Sequence, residues 1–201
     1  MKKIITIIVV LALISVKATI AGTITGTVTS DSNGQPIQGI GVYAQKYDTG
    51  EYSSSGSTDS NGFYSISGLA ADTYRVAVSV SGTQYASEYY NNQLNWSWAA
   101  PVSVSAGQQT DNISFSLGLA ASISGVVKNS AGVAQSNVQV NCGVNNGYWT
   151  GDRTDANGFY NCSNLPVGYR YDVVAYPPTD SNYMITRITV DVYQPNNYTN
   201  N

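Results

Sequence analysis

The sequence predicts an all-β protein made of two tandem antiparallel β-sandwiches, and three observations support this fold class. The stretch 58–69 (TDSNGFYSISGL) returns at 154–165 as TDANGFYNCSNL. Short runs with apolar residues at alternate positions recur along the chain and are separated by turn residues, which is typical of sandwiches. No apolar run with a helical period extends beyond one turn outside the N-terminal segment.

Residues 1–21 have the layout of a secretory signal peptide. A positive start is followed by an apolar run, Ile4 to Val16, which is too short to span a bilayer, and small residues follow at Ala18 and Ala21. We expect cleavage after one of these alanines, and an uncleaved N-terminal anchor is the alternative. The product is predicted to be secreted or periplasmic, with no membrane span after cleavage.

The rest of the chain carries few charges and no histidine. Without Lys2, Lys3 and Lys17, six basic residues face twelve acidic ones, a net charge of −6. No basic stripe is present, so nucleic acid is not a predicted partner. The lack of histidine excludes Ser-His-Asp and Cys-His nucleophilic systems and His-ligated zinc. We expect neither a cofactor nor an enzyme, while catalysis by carboxylates such as Asp59 or Glu88 is the open alternative.

The first domain is predicted to cover residues 22–118. Its strands alternate between apolar and polar residues and are expected at 23–29, 40–44, 63–69, 74–78, 102–104 and 113–117. Residues 47–57 are expected to form a loop with a short edge strand. Asn61-Gly62 tolerates the positive φ of a two-residue turn, so it predicts the corner of a β-hairpin. Residues 82–101 form an aromatic insertion without clear alternation.

The second domain is predicted to cover residues 119–193. Its strands are expected at 122–127, 138–142, 159–165, 171–173 and 188–192, with Asn157-Gly158 as the second hairpin corner. This copy lacks the aromatic insertion. The tail, 194–201, is rich in Asn and is predicted to be disordered.

The turn and core residues of both copies form a recognisable pattern. In the first copy they are Ile24, Gly26, Val28, Gly34, Pro36, Ile37, Gly39, Val42, Thr58, Asp59, Gly62, Tyr64, Ile66, Gly68 and Leu69. The second copy keeps Ile123, Gly125, Gly132, Val140, Thr154, Asp155, Gly158, Tyr160 and Leu165. It departs from the pattern at Cys162 and Asn164.

This pattern resembles the carboxypeptidase regulatory-like domain, a prealbumin- or transthyretin-like β-sandwich of the carbohydrate-binding-like superfold that occurs in many bacterial exported proteins. The resemblance covers nearly all of the mature chain. Because the motif consists of turn and core residues, it implies an accessory module and carries over no catalytic residue.

Cys142 and Cys162 are the only cysteines. The alternation of apolar and polar residues in their strands predicts that both side chains point into the core. In an oxidising compartment we expect a disulfide between neighbouring strands. It would close a loop of 20 residues and contribute about 3 kcal/mol in the chain-entropy model. A metal or redox role is the alternative, but CxxC spacing is absent.

The aromatic insertion supplies the candidate ligand-binding residues, which are Tyr85, Tyr89, Tyr90, Trp96 and Trp98. Exposed aromatic rings stack on sugar rings or grip peptide side chains, and neighbouring Asn and Gln supply hydrogen bonds. The alternative is that the tyrosines fold back and cap one end of the sandwich. For the tryptophans both interpretations stay open, and both rings would point to the same face of any strand they form.

The sequence therefore predicts a non-catalytic exported module, with a binding or structural role in the bacterial cell envelope or the extracellular space. Its candidate partners are a glycan or an envelope protein. The alternative is a carbohydrate-binding protein that uses the Tyr/Trp loop.

Overall fold

The computed structural model describes residues 20–144, 149–178, 184–195 and 197–200, and these residues form strands, turns and one 3₁₀ turn. The first eight strands are β1 (Gly22–Ser30), β2 (Gly41–Lys46), β3 (Tyr52–Ser57), β4 (Phe63–Leu69), β5 (Asp72–Ser79), β6 (Val102–Val104), β7 (Gln109–Thr110) and β8 (Phe115–Leu117). The others are β9 (Ala121–Val126), β10 (Gln139–Gly143), β11 (Trp149–Arg153), β12 (Phe159–Leu165), β13 (Tyr169–Tyr176), β14 (Thr186–Val192) and β15 (Asn197–Asn200). The predicted all-β class is confirmed.

Strands β1 to β8, the first unit, form two sheets around one core. One sheet has the order β4-β1-β7, with β8 also paired to β1, and the other has the order β3-β2-β5-β6. β4 runs antiparallel to β1, whereas β7 and β8 run parallel to it. Inward side chains from both sheets make a single buried cluster that extends from Ile24 to Leu117. Burial of each large apolar side chain contributes about 1.5 to 3 kcal/mol.

Strands β9 to β15, the second unit, form two further sheets, with the orders β12-β9-β15 and β11-β10-β13-β14. They enclose a separate buried cluster that extends from Ala121 to Val192. The sheet β11-β10-β13-β14 has the same order as the sheet β3-β2-β5-β6 of the first unit. In the other sheets, β12 pairs with β9 as β4 pairs with β1. That both units arose from one duplicated module, with the boundaries given above, stays a prediction.

The repeated Asn-Gly corner is not the hairpin corner that we expected. Gly62 has a φ of 71°, but Asn61 is not among the residues with positive φ, as a type I′ turn requires. Instead, the amide of Gly62 donates to the carbonyl of Asp59 at 2.9 Å, and Asp59 Oδ1 accepts from the amides of Asn61 and Phe63. The corner joins β3 to β4, and β4 pairs with β1 in the other sheet. It therefore carries the chain from one sheet to the other.

The predicted disulfide between Cys142 and Cys162 is confirmed, and their Cα atoms lie 6.3 Å apart. Its expected position between neighbouring strands is wrong, because β10 and β12 belong to different sheets of the second unit. Both side chains point into the core, so the bond crosses it and links the two sheets. Alternation fixed the inward direction of each cysteine but did not specify its sheet.

The sequence predicts a disordered tail at 194–201, whereas in the structure Asn197–Asn200 forms β15. This strand runs parallel to β9, opposite Ser122 to Gly125. β12 occupies only one edge of β9, and an uncovered edge presents backbone groups that can pair with another segment. The tail takes the position beside β9 that β7 takes beside β1.

The predicted signal peptide falls almost wholly on residues 1–19, which lie outside the described residues, so it stays a prediction. Within the described ranges, no helix is long and apolar enough to cross a bilayer.

Candidate ligand-binding site

The aromatic insertion runs along the edge of β5 that β6 leaves uncovered. β6 pairs only with Asp72–Tyr74. Further along β5, the amide of Val78 donates to the carbonyl of Glu88 at 3.1 Å, and the amide of Tyr90 donates to the carbonyl of Val76 at 2.8 Å. The insertion therefore extends the four-stranded sheet at residues 88–90, where successive side chains alternate between the two faces.

The three tyrosines divide between these faces. Tyr85 and Tyr90 pack against the first core, and the Tyr90 ring meets the Phe115 ring edge-on at 6.2 Å between centroids. Tyr89 lies beside Tyr43 of β2. Burial, followed by the charge and the hydrogen bond of Tyr89, raises the pKa of Tyr43 to about 12. Tyr85 and Tyr90 thus occupy capping positions, whereas Tyr89 reaches a different environment.

The tryptophans lie on a 3₁₀ turn, Trp96–Trp98, rather than on a strand. Asn95 caps this turn, since its side-chain oxygen accepts from the amide of Ser97 at 2.8 Å. With three residues per turn, side chains two positions apart point in different directions, so the expected common face does not arise. Trp96 is 44% exposed and Trp98 is 55% exposed.

Arg75 of β5 holds Trp96 in place, and no pattern in the sequence points to this role. Its guanidinium carbon lies 3.9 Å from the ring centroid of Tyr47 and 4.2 Å from that of Trp96. Its Nε donates to the carbonyl of Trp96 at 2.7 Å. Such cation–π contacts are worth about 0.5 to 2 kcal/mol each. One face of the Trp96 ring is therefore committed to a structural stack.

Two clefts open where the insertion meets the second unit. The Trp96 cleft has a volume of about 260 Å³ and is lined by Tyr43, Ala77, Val78, Ser87, Glu88, Tyr89, Leu94, Trp96, Trp149 and Thr150. The Trp98 cleft has a volume of about 290 Å³ and is lined by Asn92, Gln93, Leu94, Trp98, Val144, Tyr169 and Arg170. These volumes lie just below the range of about 300 to 1,000 Å³ for ligand pockets. Each cleft is therefore smaller than a pocket that encloses a drug-sized ligand.

Glu88 is the acidic residue of the Trp96 cleft. Its Oε1 atom is buried, and no group in the described part of the chain forms a hydrogen bond with it. Burial and, to a smaller extent, the negative charge of Asp31 raise the pKa of Glu88 to about 7. The other acidic residue considered above, Asp59, already accepts two backbone amides in its turn.

Asn164 fastens the start of the insertion to the second unit. Its Nδ2 atom lies 3.0 Å from the carbonyl oxygens of Val80 and Thr83 and 2.8 Å from that of Tyr85. Its φ is 57°, and the residue at the matching position of the first unit is Gly68, with a φ of 80°. Asn tolerates this left-handed conformation better than other side chains do. The departure from the repeated pattern at Asn164 therefore marks a contact between the units.

Comparisons with solved structures give low similarity over most of the chain. The Bacillus anthracis TIE protein shares 13% identity with a TM-score of 0.40, covering 90% of this chain and 33% of that one. A streptococcal ancillary pilin shares 12% identity with a TM-score of 0.37, covering 90% and 63%. The shaft pilin SpaA from Lactobacillus rhamnosus GG shares 9% identity with a TM-score of 0.36, covering 89% and 95%.

The chain thus spans about a third of the first of these proteins and less than two thirds of the second. No curated protein matches it. A family model does match, over residues 23–118, and its description is the carboxypeptidase regulatory-like domain. The matched range contains β2 to β8 and all of β1 except Gly22, including the β5 edge that carries the aromatic insertion. Residues 23–118 therefore match the carboxypeptidase regulatory-like domain family.

Proposed function

We propose that this chain is an exported, non-catalytic binding or structural module of the bacterial cell envelope or the extracellular space. The carboxypeptidase regulatory-like fold is a non-catalytic fold, which supports the absence of an enzymatic role. The disulfide between Cys142 and Cys162 carries the proposal of export, since such bonds persist in oxidising compartments. The signal-like segment at residues 1–21 supports the same location.

Fractionation of the native bacterium tests the location. Antibodies against the chain should detect it in the periplasm or the culture medium, with its N-terminus beginning after Ala18 or Ala21. Thiol labelling without reductant should leave both cysteines unmodified. Detection in the cytoplasm with two free thiols would contradict export. If the chain is exported, pull-down from envelope extract would identify its partner.

Carbohydrate binding through the Tyr/Trp loop is the second candidate function. The exposure of Trp96 and Trp98 beside the two clefts favours it. An aromatic face packs against the C–H groups of a sugar, while Asn92 and Gln93 offer hydrogen-bonding groups at the Trp98 cleft. Glycan binding is thus proposed for the junction between the units.

A glycan array tests this second function. The wild-type chain should bind a defined set of glycans, and the double variant Trp96→Ala and Trp98→Ala should lose that binding. Tyr52→Ala is the matched control, because Tyr52 is an exposed aromatic residue that lines neither cleft. No binding by the wild-type chain, or full retention by the double variant, would count against the carbohydrate hypothesis.

A further inference from the structure

The second unit contains an open groove that leads into its core. The groove has a volume of about 400 Å³ and lies at the end of β9. Residues from both sheets line it, including Val127, Lys128, Gln135, Val140, Tyr160 and Ala175. Val127, Ala175 and Ile188 pack against this core and are only partly buried, whereas Val140 and Tyr160 in the same lining are 1% and 4% exposed.

In the first unit, strand β8 fills the matching place. β8 runs parallel to the end of β1, with Phe115 opposite Val28 and Ser116 opposite Thr29. Phe115 is only 3% exposed, and its ring centroid lies 6.4 Å from that of Tyr64. The position of Tyr64 corresponds to that of Tyr160, because the two tyrosines pair with Gly26 and Gly125 respectively. In the described part of the second unit, no strand lies in the position of β8.

Backbone hydrogen bonds establish the rest of the correspondence. The amide of Ile37 donates to the carbonyl of Val28 at 3.0 Å, and the amide of Gln135 donates to the carbonyl of Val127 at 2.8 Å. A buried Ile of the first unit is thus replaced by Gln in the second. Val28 is fully buried, whereas Val127 is only partly buried against its core.

A second replacement enlarges the groove. Val78 pairs with Val42 in the first unit, and Ala175 pairs with Val140 in the second. The smaller Ala175 side chain removes volume from the side of the core that faces the groove. The groove therefore results from the absence of a strand at the position of β8 among the described residues. The replacement of Ile by Gln135 and of Val by Ala175 also contributes to it.

The backbone at the mouth of the groove is available for pairing. β15 covers β9 only from Ser122 to Gly125. Val127 uses both of its backbone groups, which bond to Gly158 and Gln135. For Lys128, by contrast, the described residues provide no backbone hydrogen bond. Thr29, its counterpart in the first unit, is paired with Ser116 of β8.

We propose that the open groove of the second unit binds an extended peptide strand from another protein, which continues the β9 edge in the direction of β15. The strand runs parallel to β9 and places an aromatic side chain over Tyr160, as β8 does over Tyr64. Among the described residues of the groove lining, Lys128 is the charged side chain, so it favours an acidic residue directly after the aromatic one. Strand addition to a sheet edge supplies affinity through the backbone and specificity through alternate side chains.

The probe is a synthetic peptide with the sequence of residues 111–118, DNISFSLG, titrated into the full exported chain with its disulfide intact. We expect binding at a single site. A Phe115→Ala version of the peptide should bind about tenfold more weakly or worse, because it loses the buried ring. Absence of binding, or equal binding of both peptides, would overturn the proposal.

Variants of the protein locate the binding. Ala175→Phe should place a ring in the groove, abolish peptide binding and raise the Tm, while Ala70→Phe, at an exposed position of the first unit, should leave binding unchanged. Unaltered binding to Ala175→Phe would overturn the groove as the site. If the wild-type chain forms concentration-dependent oligomers and Ala175→Phe does not, the occupant of the groove is a second copy of this chain and not another protein.

A charge exchange provides a test that does not depend on core substitutions. The wild-type chain should prefer a Ser116→Glu peptide over a Ser116→Lys peptide by about two- to fivefold. The exposed substitution Lys128→Glu should reverse this preference. An unchanged preference would overturn the proposed parallel register, and with it the assignment of the occupant.

Discussion

The two cores follow the same strand order but are closed in different ways. In the first unit, β8 lies on β1, and the hydroxyl of Tyr64 donates to the carbonyl of Ile113 just before that strand. In the second unit, a disulfide links the facing sheets, and β15 covers part of β9. The shared motif thus sets the topology, whereas Phe115 of β8 in the first unit and the Cys142–Cys162 bond in the second unit close the two cores differently.

Among the substitutions that test this difference between the cores, removal of the Phe115 side chain should lower the free energy of unfolding the most. Phe115→Ala creates a cavity beside Tyr64 and Tyr90, and such substitutions cost about 3 to 5 kcal/mol. We expect hydrogen-exchange protection to fall in β2 and β5 and to stay unchanged in β10 and β13. Phe63→Ala is the control, because Phe63 is exposed. Equal loss in both units would show that the cores unfold together.

Removal of the disulfide should affect the second unit alone. The double variant Cys142→Ala and Cys162→Ala opens a loop with a sequence separation of 20 residues, so the free energy of unfolding should fall by about 3 kcal/mol. Urea unfolding measures the change in the free energy of unfolding, and hydrogen exchange in β10 and β13 shows that the loss lies in the second unit. Reduction of the wild-type chain should reproduce it, and a loss confined to β2 and β5 would contradict the assignment.

Glu88 should make the stability of the first unit depend on pH. Its pKa rises from 4.5 to about 7, so the folded state binds the proton more tightly than the unfolded state does. Its contribution is therefore fully present below pH 4.5 and is lost as the pH rises through about 7. Urea unfolding across this interval should show the decline in wild type and a flatter profile in Glu88→Gln. Identical profiles would contradict burial of the carboxyl group.

The corner turns should give the smallest effects and the same effect in both units. Asp59 and Asp155 each accept two backbone amides at 2.8 and 2.9 Å. Asp59→Ala and Asp155→Ala should each cost about 1 kcal/mol, and the Asn variants should lose less because they keep an acceptor. Thermal unfolding of the four variants tests this equivalence. Clearly unequal losses would separate the two corners.

Alternation in the sequence predicted which side chains face inward, but it left the partners of several strands undetermined. A period of two identifies the face of a residue and contains no information on the neighbouring strand. For this reason the inward parity of Cys142 and Cys162 was predicted correctly, while their placement on neighbouring strands was wrong. The same limit applies to the Asn-Gly corner, which predicts a hairpin although β3 and β4 belong to different sheets.

The aromatic composition of residues 82–101 identified a candidate site. The residues that surround this site come from distant parts of the chain, so the local sequence pattern could not predict them. Arg75 reaches Trp96 across 21 positions of sequence, and Asn164 reaches Tyr85 across 79. Trp149 lines the Trp96 cleft from β11, a strand that the sequence pattern did not predict. The one available signal was the replacement of Gly68 by Asn164 in the second copy, because Asn combines tolerance of positive φ with a side chain that donates.

The disulfide also has a consequence for the mechanical behaviour of the chain. Cys142 and Cys162 are separated by 20 positions, and an extended chain spans at most about 3.5 Å per residue. If a pulling force opened the second unit, a contour length of about 70 Å would remain locked between the two sulfur atoms. Strands β11 and most of β12 would then bear no tension until a reductant cleaved the bond.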